Sequence, residues 1–95
     1  MTIELTRSDA TEHISEPEDQ AALLADALAS GDVHTIAAAI GIVARARGMT
    51  ELAKETGIKR QALYRALSVD GNPTLETMLK VLPALGLRMK FEAAA

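Results

Sequence analysis

The chain has 95 residues, 48% hydrophobic and 24% charged, with 18 Ala and 12 Leu but only one Tyr and one Phe. Ala and Leu are strong helix formers, so this composition predicts one small all-α domain. The absence of cysteine excludes a disulfide scaffold, a thiolate metal site and a thiol nucleophile, and two aromatic rings are too few to stack single-stranded nucleic acid.

The net charge of −3 is the sum of two oppositely charged parts. Residues 1–32 hold eight acidic residues and one Arg, a net −7, whereas residues 33–95 hold nine basic and five acidic residues, a net +4. Such an asymmetry indicates two kinds of contact surface. We divide the predicted single domain accordingly: an acidic N-terminal extension and helix (1–32), a helix-turn-helix core (33–86), and a C-terminal strand and tail (87–95).

The first predicted elements are a short strand and a short helical segment. Ile3–Thr6 alternates apolar and polar residues, which is typical of a strand, and residues 8–14 suit one or two helical turns. Pro17 then begins a helix with an acidic first turn, which the positive end of the helix dipole favours. We expect Gly31 to end this helix.

A longer helix follows, with Asp32 placed to cap it and an expected end near Gly48. Its predicted inner face consists of Ile36, Ile40, Val43 and Ala44. Arg45 and Arg47 lie in the last turn, where cations stabilise a helix without any ligand. We therefore expect at least one of these arginines to have a structural role.

Two short helices separated by a glycine turn are predicted next. The first spans Thr50–Thr56 with Thr50 as its N-cap, and Gly57 ends it. Ile58 places an apolar side chain in the turn, and the second helix spans Arg60–Leu67. Two short helices joined by a glycine-containing turn are the layout of a helix-turn-helix.

The last elements are a helix and a strand. Asp70–Pro73 is a cluster of turn formers, after which Thr74 caps a helix that Pro83 kinks or ends. This helix carries Leu75, Met78, Leu79 and Leu82 at helical spacing. Leu87–Phe91 alternates again and predicts a terminal strand, paired with the N-terminal strand or across a dimer, because an unpaired edge is a liability.

The second helix of the helix-turn-helix divides into two faces. Its apolar stripe is Ala62, Leu63, Ala66 and Leu67, and its outer face is Arg60, Gln61, Tyr64, Arg65 and Ser68. The outer face has no acidic residue. Arg can bind guanine and Gln can bind adenine through paired hydrogen bonds in the major groove. We predict that Arg60, Gln61 and Arg65 read bases of double-stranded DNA, although any surface helix needs a polar face.

Further candidates could contact the DNA backbone or play an auxiliary part. They are Thr50, Lys54, Lys59, Tyr64, Ser68 and Asn72. Each also has a structural interpretation: exposed lysines are commonly solvated, Asn72 suits the turn, and Tyr64 can pack its ring along its helix.

No enzyme, metal or cofactor site is predicted. His13 and His34 are the two imidazoles, and neither has a second ligand at metal-binding spacing. The serines lack the context of an activated nucleophile, so we expect no catalysis and no small-molecule substrate.

The N-terminus does not read as a signal peptide, and the longest near-apolar run, residues 36–44, is too short for a membrane span. We expect a cytoplasmic protein without a membrane partner.

Five segments carry a resemblance to a known family: Ile42–Thr50, Leu52–Gly57, Arg60–Ser68, Gly71–Thr74 and Leu79–Leu87. Together they resemble the helix-turn-helix antidote (antitoxin) proteins of bacterial addiction modules, HigA-like relatives of the Cro and phage-repressor DNA-binding domains. The chain departs from that pattern at Pro83, where the family continues its last helix. It also departs at residues 48–50, a shorter linker than in phage repressors.

The resemblance implies a lambda-repressor-like bundle of five to six short helices in which Arg60, Gln61 and Arg65 take the base-reading positions. It implies an autorepressor that also neutralises a cognate RelE-like toxin encoded beside it. The acidic part, residues 1–32, suits a basic partner, although it also reads as a solvated helix that keeps the protein soluble.

A homodimer is expected, because such proteins read two half-sites about one turn of DNA (~34 Å) apart. The interface is predicted around Leu85–Phe91. Two alternatives stay open at this point: a phage-type repressor without a toxin partner, and a protein-interaction module that binds no DNA.

Overall fold

Five helices follow one another in the computed structural model, which describes residues 16–94. They are α1 (Pro17–Ala29), α2 (Val33–Arg47), α3 (Met49–Thr56), α4 (Arg60–Ala66) and α5 (Leu75–Ala84). No strand occurs among residues 16–94, so the predicted all-α architecture is confirmed for this part of the chain. The strand predicted at residues 3–6 and the helical turns at 8–14 lie outside the described residues.

The junction between α1 and α2 is made by local hydrogen bonds, which include the cap predicted at Asp32. The Ser30 hydroxyl donates to the Ala27 carbonyl at 2.5 Å, and Gly31 turns the chain with a φ of 69°. The Asp32 carboxylate then accepts hydrogen bonds from the Thr35 hydroxyl at 2.7 Å and the Thr35 N–H at 2.8 Å. These two bonds, the hydroxyl first, lower the pKa of Asp32, and they confirm its role as the N-cap of α2.

The hydrophobic core lies where α2, α3, α4 and α5 meet. Its buried members are Ile40, Val43, Ala44, Met49, Leu52, Leu63, Leu67, Val81 and Leu85. The predicted inner face of α2 is confirmed, with Ile36 half-buried at its edge. Each fully buried Leu or Val stabilises the fold by about 1.5–3 kcal/mol relative to an exposed one. α1 packs on α2, whereas α4 and α5 both pack on α3.

α2 is held against the chain that follows α4 at two points. Gly41 lies directly against the main-chain carbonyl of Leu67, where a Cβ would collide with the oxygen. About two turns earlier in α2, the Nδ1 atom of His34 is 3.0 Å from the carbonyl oxygen of Gly71. These contacts position the end of α4 relative to α2.

The structure corrects the prediction of a strand at Leu87–Phe91. This segment forms neither strand nor helix. The Leu87 N–H donates to the Leu82 carbonyl at 2.9 Å and its side chain packs on the core, while Phe91 is 98% exposed. A strand needs a second backbone for its ladder, and no other part of residues 16–94 supplies one.

The predicted N-cap of α3 is also wrong. α3 begins at Met49 and its N-cap is Gly48, which turns the chain with a φ of 114°. The buried Met49 side chain favours the earlier start, because it brings the first turn of α3 into the core. Thr50 therefore lies inside the helix, and its hydroxyl is free to accept a hydrogen bond from another element.

α5 is capped as predicted, and only some of its residues at helical spacing face the core. The Thr74 hydroxyl accepts from the Thr77 N–H at 3.1 Å, and the helix ends at Ala84, one residue after Pro83. Its buried residues are Val81 and Leu82. Two of the leucines at helical spacing, Leu75 and Leu79, are instead exposed. No helix within residues 16–94 has the length and apolar character that a membrane crossing requires.

Candidate nucleic-acid interface

The turn between α3 and α4 is held by contacts on both of its sides. Gly57 adopts the left-handed conformation, with a φ of 74°, and its N–H donates to the Ala53 carbonyl at 2.9 Å. The Thr56 hydroxyl donates to the Leu52 carbonyl at 2.7 Å and accepts from the Ile58 N–H at 3.3 Å. Ile58 packs against the core, as predicted. α4 therefore leaves the turn in one defined direction.

α4 buries one side and exposes the other. Leu63 and Leu67 are buried, whereas Arg60, Gln61 and Arg65 are exposed. Ala62, predicted on the apolar stripe, is exposed as well, because the stripe is centred on the two leucines. We call the exposed side, with Arg60, Gln61, Tyr64 and Arg65, the outer face of α4.

An aromatic and cationic cluster joins α2, α3 and α4 at this face. The guanidinium carbons of Arg45 and Arg60 each lie 5.8 Å from the centroid of the Tyr64 ring. At this distance a cation is attracted to the ring. The Nη1 atom of Arg60 also donates to the Thr50 hydroxyl at 3.1 Å. Arg60 is therefore held in place by two other side chains, Thr50 and Tyr64.

Arg45 is the member of this cluster that sequence reasoning missed. Its place in the last turn of α2 was explained by the helix dipole alone. The sequence offers one weak signal that could have placed Arg45 in this cluster: it is a cation directly before a helix-turn-helix pattern. Its contact with Tyr64 depends on how α2 crosses α4, which no local pattern reports.

The other predicted DNA-contacting residues differ in whether their side chains already have a partner within the protein. Lys59, Gln61 and Arg65 have side chains that make no hydrogen bond or ion pair with any other described residue. Lys54 forms an exposed ion pair with Glu51 at 3.9 Å, a geometry that contributes little to stability.

Two predicted residues lie after α4. Ser68 is half-buried and its hydroxyl donates to the Arg65 carbonyl at 3.0 Å, so it helps to end α4. Asn72 is exposed in the loop before α5.

The division of charge seen in the sequence follows the helices. Residues 45–68, which span the end of α2 through α4, contain six basic and two acidic residues. Residues 16–44, which span α1 and most of α2, contain five acidic residues and no Lys or Arg. The acidic and the basic surfaces are thus carried by different helices. Within residues 16–94, no three His, Asp or Glu side chains form a group that could hold a metal ion.

Residues 4–93 match the family described as "Probable addiction module antidote protein". The chain belongs to this family. The chain is 39% identical over 92 residues to a protein of Haemophilus influenzae (strain ATCC 51907 / DSM 11121 / KW20 / Rd) that is described as an uncharacterized protein. The aligned residues cover 97% of this chain and 95% of the relative. No solved structure matches this chain.

Family membership supports an antitoxin role for this protein and implies a cognate toxin as its partner. Together with the small helical fold, it points to a regulator rather than an enzyme.

Proposed function

We propose that this protein is a cytoplasmic homodimer that binds double-stranded operator DNA, represses its own toxin–antitoxin operon and neutralises a RelE-like toxin. The observation that carries the DNA-binding part is the outer face of α4. It is exposed, has no acidic residue, and presents Gln61 and Arg65 without partners among the described residues. Side chains of these types in the major groove can distinguish base pairs.

In this proposal α3 and α4 form a helix-turn-helix, and Arg60, Gln61 and Arg65 contact base edges. Arg60 uses one of its N–H groups on Thr50, and a guanidinium has five, so donors remain for guanine. Its contact with Tyr64 reduces the conformational freedom that binding would otherwise remove. Thr50 and Tyr64 therefore act by positioning Arg60.

The remaining candidates are assigned to the DNA backbone or to the shape of the face. Lys54 and Lys59 are exposed cations beside α4, suited to phosphates. Asn72 can donate to a phosphate from the following loop. Ser68 acts mainly by ending α4, since its hydroxyl donates a hydrogen bond to the main-chain carbonyl of Arg65.

The experiment for this part is a titration of labelled DNA from upstream of the protein's own gene. We expect specific binding that Arg65→Ala weakens and that falls with rising salt. Arg88→Ala is the matched control, because it removes an exposed arginine outside α3 and α4. If the protein shows no specific binding at low salt, the proposal that it reads DNA is wrong. The remaining alternative is then a protein-interaction module that binds no DNA.

The toxin-binding part is supported by a groove between α1 and α2. This open groove has a volume of about 470 Å³. Its apolar lining includes Ala27, Ala38, Ile42 and Val69, and two carboxylates border it, Asp26 and Asp32. An apolar floor beside carboxylates suits a partner that inserts an apolar side chain flanked by Lys or Arg.

Charge selects a basic toxin as the occupant of this groove. The N-terminal segment of the chain itself is a poor candidate, because residues 1–15 contain three acidic residues and one Arg, a net −2. Like charges would then meet at Asp26 and Asp32. The test is co-expression with the product of the adjacent gene. If the product of the adjacent gene is toxic but is neither neutralised by this protein nor co-purified with it, toxin binding is rejected. The remaining alternative is then a repressor without a toxin partner.

A further inference from the structure

α5 carries apolar residues on its exposed side as well as on its buried side. Leu75 and Leu79 are 64% and 58% exposed, and Pro83 is exposed too. A spacing of four residues places these three side chains along one stripe of the helix. Isolated exposed leucines are ordinary, but three aligned apolar residues on a helix that already contributes to the core need a partner.

A pair of opposite charges flanks this stripe. The Nζ atom of Lys80 lies 3.5 Å from a carboxylate oxygen of Glu76, and both side chains are at least half exposed. Each charge follows one of the leucines by one residue, so the pair runs along the same edge of the stripe. The flank is formally neutral, which does not suit the strongly basic partner inferred for the groove on α1 and α2.

We propose that the stripe of Leu75, Leu79 and Pro83 is the surface through which two copies of this chain pack α5 against α5 in antiparallel orientation. The proposal deepens the homodimer of the proposed function and rests on it. It moves the predicted interface from Leu85–Phe91 to α5.

The charges determine the orientation. A two-fold axis perpendicular to the helices near residue 78 keeps the charged edges of both copies on the same side of the interface. Glu76 of each copy then faces Lys80 of the other, and Leu79 lies beside the leucines of the other copy. A parallel pair would place the charged edges on opposite sides, without partners across the interface.

The area required by a stable dimer indicates what adjoins the stripe. Such dimers bury about 800 Å² per copy, more than three side chains supply. The exposed Met89 and Phe91 follow α5 in the chain and add apolar surface. We therefore expect the tail to enlarge a contact centred on α5.

The test uses charge reversal, read by sedimentation of the full chain without DNA. Glu76→Lys gives a copy with two cations on the edge, and Lys80→Glu gives a copy with two anions. We expect each variant alone to dissociate at concentrations about tenfold higher than the wild type, because like charges then face each other across the interface. An equimolar mixture regains the dimer, because cations of one copy then face anions of the other. Circular dichroism checks that both variants fold, and Asp70→Lys controls for charge reversal elsewhere.

The possible outcomes distinguish a wrong α5 interface from a wrong homodimer proposal. A wild-type chain that stays monomeric overturns the homodimer and this interface together. If the wild type is a dimer and both variants dimerise equally well alone, or their mixture stays monomeric, the α5 interface is wrong and the homodimer stands. As an independent probe of the apolar stripe, Leu79→Ser must also weaken the dimer.

Discussion

Gly41 and Leu67 meet where α2 crosses the end of α4, and the Leu67 carbonyl oxygen occupies the space that a Cβ at position 41 would need. This contact sets the distance between α2 and the helix that carries the candidate DNA-reading residues. Because the obstacle is backbone, it cannot move aside as a flexible side chain would. A prediction on stability follows from this crossing.

Gly41→Ala should destabilise the protein. Alanine favours a helix over glycine by about 1 kcal/mol, but the collision with Leu67 forces α2 and α4 apart, and overpacking of this kind costs about 1–3 kcal/mol. We expect a net loss in the free energy of unfolding, measured by urea denaturation. A variant as stable as the wild type, or more stable, would show that helix propensity outweighs the crossing.

Arg65→Ala should weaken binding to the operator by about 1–3 kcal/mol, the usual contribution of a base-reading arginine. The loss should be largest for the base pair that Arg65 contacts, so sequence preference relaxes at one position. Fluorescence anisotropy with a set of single-base operator variants measures this. Equal losses on every DNA sequence would assign Arg65 to the phosphate backbone instead.

Thr50→Val should weaken DNA binding through Arg60. Valine keeps the shape of threonine but cannot accept the hydrogen bond from Arg60, so Arg60 is less well positioned. We expect a loss of about 0.5–1.5 kcal/mol in operator binding, the size of one hydrogen bond. In an Arg60→Ala background the same change should have no effect. If Thr50→Val costs as much in that background, Thr50 contacts DNA itself.

Acid should destabilise α2 through Asp32. Hydrogen bonds from Thr35 lower the pKa of Asp32 in the folded protein. The resulting stabilisation is present above the unfolded-state pKa of 3.8 and is lost as the pH falls through the lower folded pKa. Asp32→Asn keeps a capping oxygen without a titratable group. Its melting temperature should therefore fall less steeply than that of the wild type on acidification below pH ~4. If the melting temperatures of the wild type and of Asp32→Asn fall equally with pH, Asp32 does not contribute to this pH dependence.

Ile42→Lys should weaken toxin binding by about tenfold or more, equivalent to ~1.4 kcal/mol. It replaces an apolar lining residue of the groove with a cation that repels a basic partner. Val33→Lys is a matched control, since Val33 and Ile42 are 42% and 41% exposed on the same helix, and Val33 does not line the groove. Pull-down of the toxin compares the two variants. Equal loss in both would place the toxin elsewhere on the chain, whereas a wild type that binds no toxin would reject the antitoxin proposal itself.

Much of this fold could be predicted because its boundaries depend on neighbours in the chain. The caps at Asp32 and Thr74 each join residues three positions apart, and Gly57 ends α3 through its own backbone conformation. The membership of the outer face of α4 follows from helical periodicity in the same way. Such features are readable in the sequence, because everything they need lies within one helical turn.

Two of the differences between sequence and structure have the same physical cause: the periodicity of a segment does not show which other segment packs against each of its faces. Leu87–Phe91 has the alternation of a strand, but no backbone pairs with it among the described residues. Leu75 and Leu79 have core-like spacing, yet α5 turns Val81 and Leu82 inward. Only the packing of several helices together decides between such faces.

The sequence by itself therefore determined the order of the five helices, the caps at Asp32 and Thr74 and the separation of an acidic from a basic part, since these depend on composition and on residues a few positions apart. The tertiary structure alone decided that Arg45 and Arg60 share the Tyr64 ring, that Gly41 meets Leu67, and which side of α5 stays exposed. These contacts join residues distant in the chain. They exist because burial of the common core brings α2 against α4 and α5 against α3.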